Sequence, residues 1–401
     1  MKVLQINAVY GISSTGRTTM ELDRALQEQG HQSLVATTKA NCQREQLYIV
    51  GNKRDWKLHA LCSRLFGMQG YFSAGETRKL ISYIEREKPD IIHLRNLHAN
   101  YIHIPMLLRY IAEKAIPTVI TLHDCWFFTG KCCYYTDDNC EKWKAQCGNC
   151  PALRKWNESW FLDRSQQMLA DKKKLFQAVP RLAVIGVSDW ITNEARQSIL
   201  KDAWLVKRIY NWINLDVFKP VDTTELRKKL NLEHDFVVVG VAQTWSAEKG
   251  IYIFQKIAEA MPEIKVVLIG ELPEQFAMPD NVVSIGVLSD ERALAAYYSM
   301  ADVMVNPSVQ ETFGKTTAEA IAAGTPVIGY NLTATPELIG NGCGVVVEPK
   351  DGVDAFVNAV KVVQALGKEY YRDACCRFAN QNFSKDNLIQ EYIDLYRVML
   401  Q

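Results

Sequence analysis

The sequence predicts an α/β protein of two doubly wound, parallel-sheet domains facing a cleft, and three observations carry that prediction. Short runs rich in Val and Ile alternate with longer amphipathic stretches. The runs are apolar throughout, as strands buried on both faces of a parallel sheet must be. An aperiodic segment at residues 211–220, NWINLDVFKP, ends in Pro220 and separates two complete series, each suited in length to one domain.

In the first series the predicted strands are Val3–Ala8, Ser33–Thr37, Ile91–Leu94, Thr118–Leu122 and Leu182–Val187. In the second they are Phe236–Ala242, Ile264–Ile269, Val282–Val287, Ala301–Asn306 and Pro326–Tyr330. Residues 1–210 are therefore the N-terminal domain, with a Cys/Trp-rich insert at 125–165. Residues 211–220 are the interdomain linker, and 221–384 the C-terminal domain. A last amphipathic helix within 385–401 can pack on either domain and is a candidate to return to the first. Facing parallel sheets bind ligands at the carboxyl ends of their strands, where the cleft is expected.

Apolar residues make up 48% of the 401 residues and charged ones 23%, the balance of an ordinary globular chain. A net charge of +1 argues against a nucleic-acid partner. No signal-peptide pattern precedes the first strand and no uncharged apolar run is long enough to span a bilayer, so the expected location is cytoplasmic.

Gly314-Lys315-Thr316 ends like a phosphate-binding P-loop, but Val309 occupies the position where that loop needs glycine. What survives is a strand, a loop and a helix beginning near Lys315, whose free N–H groups and dipole make an anion site. Glu319 has an alternative reading, because Thr316-x-x-Glu319 has the spacing of a capping box that needs no ligand.

The first strand leads into Gly11-Ile12-Ser13-Ser14-Thr15-Gly16-Arg17, a glycine-bearing turn before a helical pattern at Thr18–Gln29. It is not Gly-x-Gly-x-x-Gly, which disfavours a dinucleotide fold. His123 lies just past the strand 118–122 and suits a hydrogen bond to a substrate hydroxyl or general base duty, or a satisfied strand-end histidine. Lys249 stands at a strand-to-helix junction suited to phosphate, or is an ordinary exposed lysine.

Six of the eleven cysteines, Cys125, Cys132, Cys133, Cys140, Cys147 and Cys150, crowd one segment. Cys147-x-x-Cys150 with Cys133 and Cys140 can supply four thiolates to a structural zinc; reduced thiols or a disulfide are the alternatives. Residues 141–174 carry eight Lys/Arg against four Asp/Glu, interleaved with Trp143, Trp156, Trp160 and Phe161. That mixture suits contact with an anionic membrane face, with Lys172, Lys173 and Lys174 among the cations, or else a solvated hairpin.

Together these pieces resemble family-4 glycosyltransferases, the retaining nucleotide-sugar enzymes of the GT-B fold, over nearly the whole chain. Glu311-x7-Glu319 within ETFGKTTAEAIAAGTPVI is the most specific element, supported by NWINLDVFKP, Glu248-Lys249-Gly250 and STGR at 14–17. TLHDCWFFTGKC and the cysteines after it are similar to a bacterial capsular, exopolysaccharide or lipopolysaccharide subgroup.

The resemblance implies that Glu319 holds the ribose hydroxyls and Glu311 contacts the donor sugar. Phe313, Gly314 and Lys315 present backbone amides to sugar and phosphate, and Lys249 neutralises the diphosphate. His123 faces the donor sugar from the acceptor-side N-terminal domain, with Gly16 against the diphosphate. No catalytic metal is implied. The expected partners are a nucleotide-diphosphate sugar and a lipid-linked or oligosaccharide acceptor, at the inner face of the cytoplasmic membrane. Thr244 replaces the arginine that the family often carries five residues before its lysine, so Arg17 or Lys315 is the candidate substitute. A nucleotide-sugar 2-epimerase of the same fold and a non-catalytic sugar-nucleotide module are the competing readings. The aromatic-basic insert favours the transferase.

Overall fold

In the computed structural model, which describes every residue except 42, 43, 45, 46 and 341, the chain divides into two compact units. Residues Met1–Ile209 and Ile389–Gln401 form the first unit, and Tyr210–Leu388 the second.

The first unit is built on a parallel sheet of seven strands: β1 (Lys2–Ile6), β3 (Gln32–Thr37), β5 (Leu47–Ile49), β6 (Ile91–Leu94), β7 (Thr118–Leu122), β8 (Leu182–Gly186) and β9 (Leu205–Arg208). Their order is β5-β3-β1-β6-β7-β8-β9, and short strands β2 (Val9–Tyr10) and β4 (Lys39–Ala40) pair beside it. The chain lays down β1, moves outward to β3 and β5, then crosses back to add β6. The strand order therefore reverses between β1 and β6. Strands β6, β7 and β8 are buried along their whole length, which is why their sequences are mostly apolar, with His93 and Thr121 among the exceptions.

The second unit repeats the plan with β10 (Val237–Thr244), β11 (Lys265–Glu271), β12 (Val282–Gly286), β13 (Val303–Asn306), β14 (Val327–Tyr330) and β15 (Gly344–Val347). The order is β12-β11-β10-β13-β14-β15, so the switch point lies between β10 and β13. The fold class expected from the sequence is the one observed.

Besides the two-residue strands β2 and β4, three strands of the two main sheets escaped the sequence pattern. β5 and β9 are half-exposed strands at the sheet edges, and β15 opens on Gly344, so none reads as a buried apolar run. The segment 211–220 has no regular structure, yet Trp212, Ile213 and Phe218 are buried within the second unit.

The last helix, Lys385–Leu400, joins the first unit from Ile389 onward. The hydroxyl of Tyr396 lies 2.6 Å from Nδ1 of His93 on β6, and that of Tyr392 lies 3.0 Å from Thr121 Oγ1 on β7. His93 Nε2 also meets Thr121 Oγ1 at 2.8 Å, so the polar groups buried beneath this helix satisfy one another.

Candidate functional site

In the second unit, the two strands flanking the switch point each end in a loop that starts a helix on a glycine. After β10, Gly250 (φ 69°) is the N-cap of helix Ile251–Ala260; after β13, Gly314 (φ 87°) is the N-cap of helix Lys315–Ala322. Neither helix has a side-chain cap, so backbone N–H groups and the positive dipole end are presented without a competing side chain. A Cβ on Gly250 would sit 2.6 Å from Pro307 Cγ, so glycine is what lets the two loops touch.

Lys249 and Glu311 come from these two loops and interact. Burial raises the Glu311 carboxyl above the usual carboxylate range; the Lys249 ammonium and hydrogen bonds from Ser308 and Asn306 oppose that rise. The Glu311 backbone is fixed on both sides: its N–H donates to Thr333 Oγ1 (3.1 Å), and its carbonyl accepts from Ala334 N–H (3.1 Å). Phe313 anchors the loop by its ring, which packs against Tyr210 and Phe383 at 5.8 and 5.5 Å.

Glu319 does not cap its own helix. The N-cap is Gly314 rather than Thr316, so the capping box legible in the sequence is not formed. The Glu319 side chain is 6% exposed and turned sideways, where it accepts from the Tyr298 hydroxyl at 3.3 Å. Lys315 Nζ approaches its other oxygen at 4.0 Å. Thr244, at the position of the missing arginine, donates to Glu271 Oε2 at 3.1 Å, beside an acid rather than supplying a cation.

The first unit departs from expectation at Gly16 and Arg17. The helix begins at Ser13, five residues before the predicted Thr18, so both lie in its first turns rather than in a loop. Ser13 adopts φ 56°, a left-handed start that no local pattern signalled. Gly16 serves close packing: its Cβ would stand 3.2 Å from Gly11 N and from Val9 Cγ2. Arg17 is exposed.

His123 follows β7 and meets a residue the sequence analysis passed over. Arg95, immediately after β6 at the switch point of the first sheet, places Nη1 3.1 Å from Thr18 Oγ1 and 3.4 Å from His123 Nε2. The Nε and Nη2 of Arg95 have no hydrogen-bond partner among the described residues. Burial, then the Arg95 charge, drives the His123 pKa well below its ordinary value, so the ring is neutral at pH 7. Arg95 was invisible in the sequence because strand order, which makes the end of β6 a switch point, is not written in any local pattern.

The cysteines divide differently from the expected set. Cys133, Cys140, Cys147 and Cys150 are not brought together: among the described residues, the one group with ligand atoms all within 4.8 Å is His98, Asp124 and Cys133. Cys132, not Cys133, hydrogen-bonds the thiol of Cys150. Cys133 turns the other way, where its Sγ accepts from Asn157 Nδ2 at 3.6 Å.

Two of the residues expected at a membrane face are also buried. Trp143 is core, and Lys172, 4% exposed, donates to the carbonyls of Trp126 (2.5 Å) and Thr129 (3.0 Å) with its ammonium over the Trp126 ring. Trp156, Trp160 and Phe161 remain exposed, Phe161 by 70%. Among the described residues no helix is long and apolar enough to cross a membrane.

Residues 15–217 match the profile of Glycosyltransferase Family 4, and residues 233–365 that of Glycosyl transferases group 1. A chain of Escherichia coli (strain K12) described as a colanic acid biosynthesis glycosyl transferase, WcaC, is 23% identical over 325 residues, covering 77% of this chain and 76% of its own. Among solved structures, sucrose-phosphate synthase from Thermosynechococcus elongatus superposes with a TM-score of 0.72 at 19% identity, over 100% of this chain and 99% of its own. The Anabaena protein HepE in complex with UDP and glucose gives 0.65 at 16% identity, over 99% and 100%.

Proposed function

The chain belongs to glycosyltransferase family 4, and from that premise we propose that it moves a sugar from a nucleotide-diphosphate donor to a lipid-linked or oligosaccharide acceptor in cell-surface polysaccharide synthesis. The observation that carries this reading is the pair of glycine-started helices at the switch point of the second sheet, with Lys249 on one loop electrostatically coupled to Glu311 on the other. The relationship to WcaC supports the polysaccharide context, and HepE, solved with UDP and glucose, supports a nucleotide-sugar donor.

In this reading the donor diphosphate lies against the starts of both helices. Their N–H groups, Lys249 and Lys315 meet the charge that grows as the bond from sugar C1 to the phosphate oxygen breaks, so no catalytic metal is needed. The acceptor oxygen forms the new bond to C1 on the face the diphosphate leaves, and its proton passes to the departing phosphate oxygen, which retains the anomeric configuration. Glu319 accepts from the ribose hydroxyls, and Glu311 orients the donor sugar. On the first unit, neutral His123 hydrogen-bonds a sugar hydroxyl. Exposed Trp160 and Phe161 suit contact with the interface of an anionic membrane bearing a lipid-linked acceptor.

Thermal-shift measurements with UDP, GDP, ADP and their sugars test the reading. One nucleotide should raise the melting temperature of the wild-type chain and fail to raise that of Glu319→Ala. A chain unmoved by every nucleotide diphosphate and nucleotide sugar would overturn it.

A further inference from the structure

Residues 124–164 contain no strand and no α-helix, only the short 3-10 turn Lys142–Lys144, yet Phe128, Cys132 and Trp143 within them are buried. An irregular stretch of this length inside a compact unit has no backbone ladder to hold it, so side chains or an ion must.

Cys132, Cys140, Cys147 and Cys150 line one cavity of about 10 Å³ beside Trp143, the space that a single water or a smaller ion occupies. Left-handed backbone at Asn149 (φ 45°), after Gly148 (φ 137°), turns the chain so that Cys147 and Cys150 reach the same cavity. The Gly130 N–H hydrogen-bonds the Cys147 sulfur and the Ala152 N–H that of Cys150, the kind of donor that supports a thiolate.

Charge gives an independent pointer. Lys131 and Lys172 are both buried beside these sulfurs, and the hydrogen bonds of their ammonium groups go to backbone carbonyls rather than to carboxylates. Buried cations call for a compensating anion. Zn²⁺ with four thiolates carries a net charge of −2, the sign that ammonium groups buried here call for.

We propose that Cys132, Cys140, Cys147 and Cys150 bind one structural Zn²⁺ that ties the irregular segment together, with Cys133 outside the set. The four thiols surround the cavity without standing at ligand spacing. Binding releases their protons and draws them inward by side-chain rotation within a loop that has no ladder bonds to break. The compact group His98, Asp124 and Cys133 is a poorer cation site. Asp124 Oδ1 already accepts from Trp126 N–H (2.9 Å), and its Oδ2 lies 3.3 Å from His98 Nε2.

The test is elemental analysis of the full chain, purified without a histidine tag, as wild type, Cys132→Ser and Cys133→Ser. Wild type and Cys133→Ser should each hold about one zinc per chain, and Cys132→Ser should lose most of it. Wild type below about half an equivalent, or any other pattern among soluble variants, overturns the assignment. Should Cys132→Ser fail to fold, cobalt-substituted wild type decides. The absorption of a tetrahedral four-thiolate cobalt centre supports the proposal, and a spectrum with fewer thiolates, or none, ends it.

Discussion

Arg95 Nη1 lies 3.4 Å from Nε2 of His123, with the Arg95 side chain 1% exposed. A guanidinium has donors only, so the nitrogen facing it carries the lone pair and the neutral ring keeps its proton on Nδ1. Removing the cation as Arg95→Met should raise the His123 pKa toward its ordinary value, by relieving the second of the two causes that depress it. Imidazole titration by NMR reads this directly, and an unchanged His123 titration would refute the coupling. If neutral His123 serves the donor sugar, the acidic limb of kcat/KM should also move to higher pH in the variant.

The electrostatic coupling of Lys249 to Glu311 makes a second prediction with the same sign. Glu311 is raised by burial and held down by Lys249, so Lys249→Met should raise it further and move any acidic limb that Glu311 sets upward in pH. If Lys249 meets the donor diphosphate as proposed, its removal should also cost about a hundredfold in turnover. Glu311→Ala should lower kcat more than it weakens donor binding. Wild-type rates in both variants would remove these residues from the site.

Buried histidines predict acid sensitivity. His59 is lowered to about 4 by burial first and His103 second, and His93 is also depressed. The neutral form of His59 is built in, because Gly70 N–H donates to its Nε2 at 3.3 Å. The unfolded chain binds these protons below pH 6.5 and the folded chain does not, so stability is full above that value and falls as pH drops from about 6.5 toward 4. Melting temperatures across that range should show the fall, and His59→Gln should flatten it.

Gly314→Ala should destabilise the second unit by about 1 kcal/mol, since φ of 87° is unfavourable for any residue with a Cβ. Its neighbours are not the cause: the nearest atom to the added carbon is Thr317 Oγ1 at 3.5 Å. Gly16→Ala has the opposite origin, a 3.2 Å approach to Gly11 N on ordinary backbone. A lower melting temperature together with loss of any nucleotide-induced shift is expected for Gly314→Ala.

Flotation with anionic vesicles separates exposed from buried candidates at the aromatic segment. Trp160→Ser with Phe161→Ser should weaken binding without loss of folding, because both side chains face solvent. Lys172→Glu should unfold the segment instead, since it would place a carboxylate against the carbonyls of Trp126 and Thr129. Vesicle binding equal to wild type in the double aromatic variant would count against a membrane role.

Apolar run length and the β-then-α rhythm were enough to determine the fold class, because strands buried on both faces leave a continuous, mostly apolar signature such as Leu182–Gly186. The strand-to-helix junctions bearing Lys249, Glu311 and Lys315 were legible for the same reason: each follows a recognisable strand. Partners across space were not. Thr316-x-x-Glu319 reads equally well as a cap or as a ligand pair, and only the position of Gly314 as N-cap and Tyr298 as neighbour removes the cap. Cys132 and Cys133 are adjacent and chemically identical, so spacing could not say which way each points; the fold turns Cys132 toward Cys150 and Cys133 toward Asn157. Arg95 became visible only when the sheet order put β6 beside β1. Local pattern records which face of an element is buried, whereas the contacts that join distant loops arise from the packing of whole elements, and that packing is decided in three dimensions.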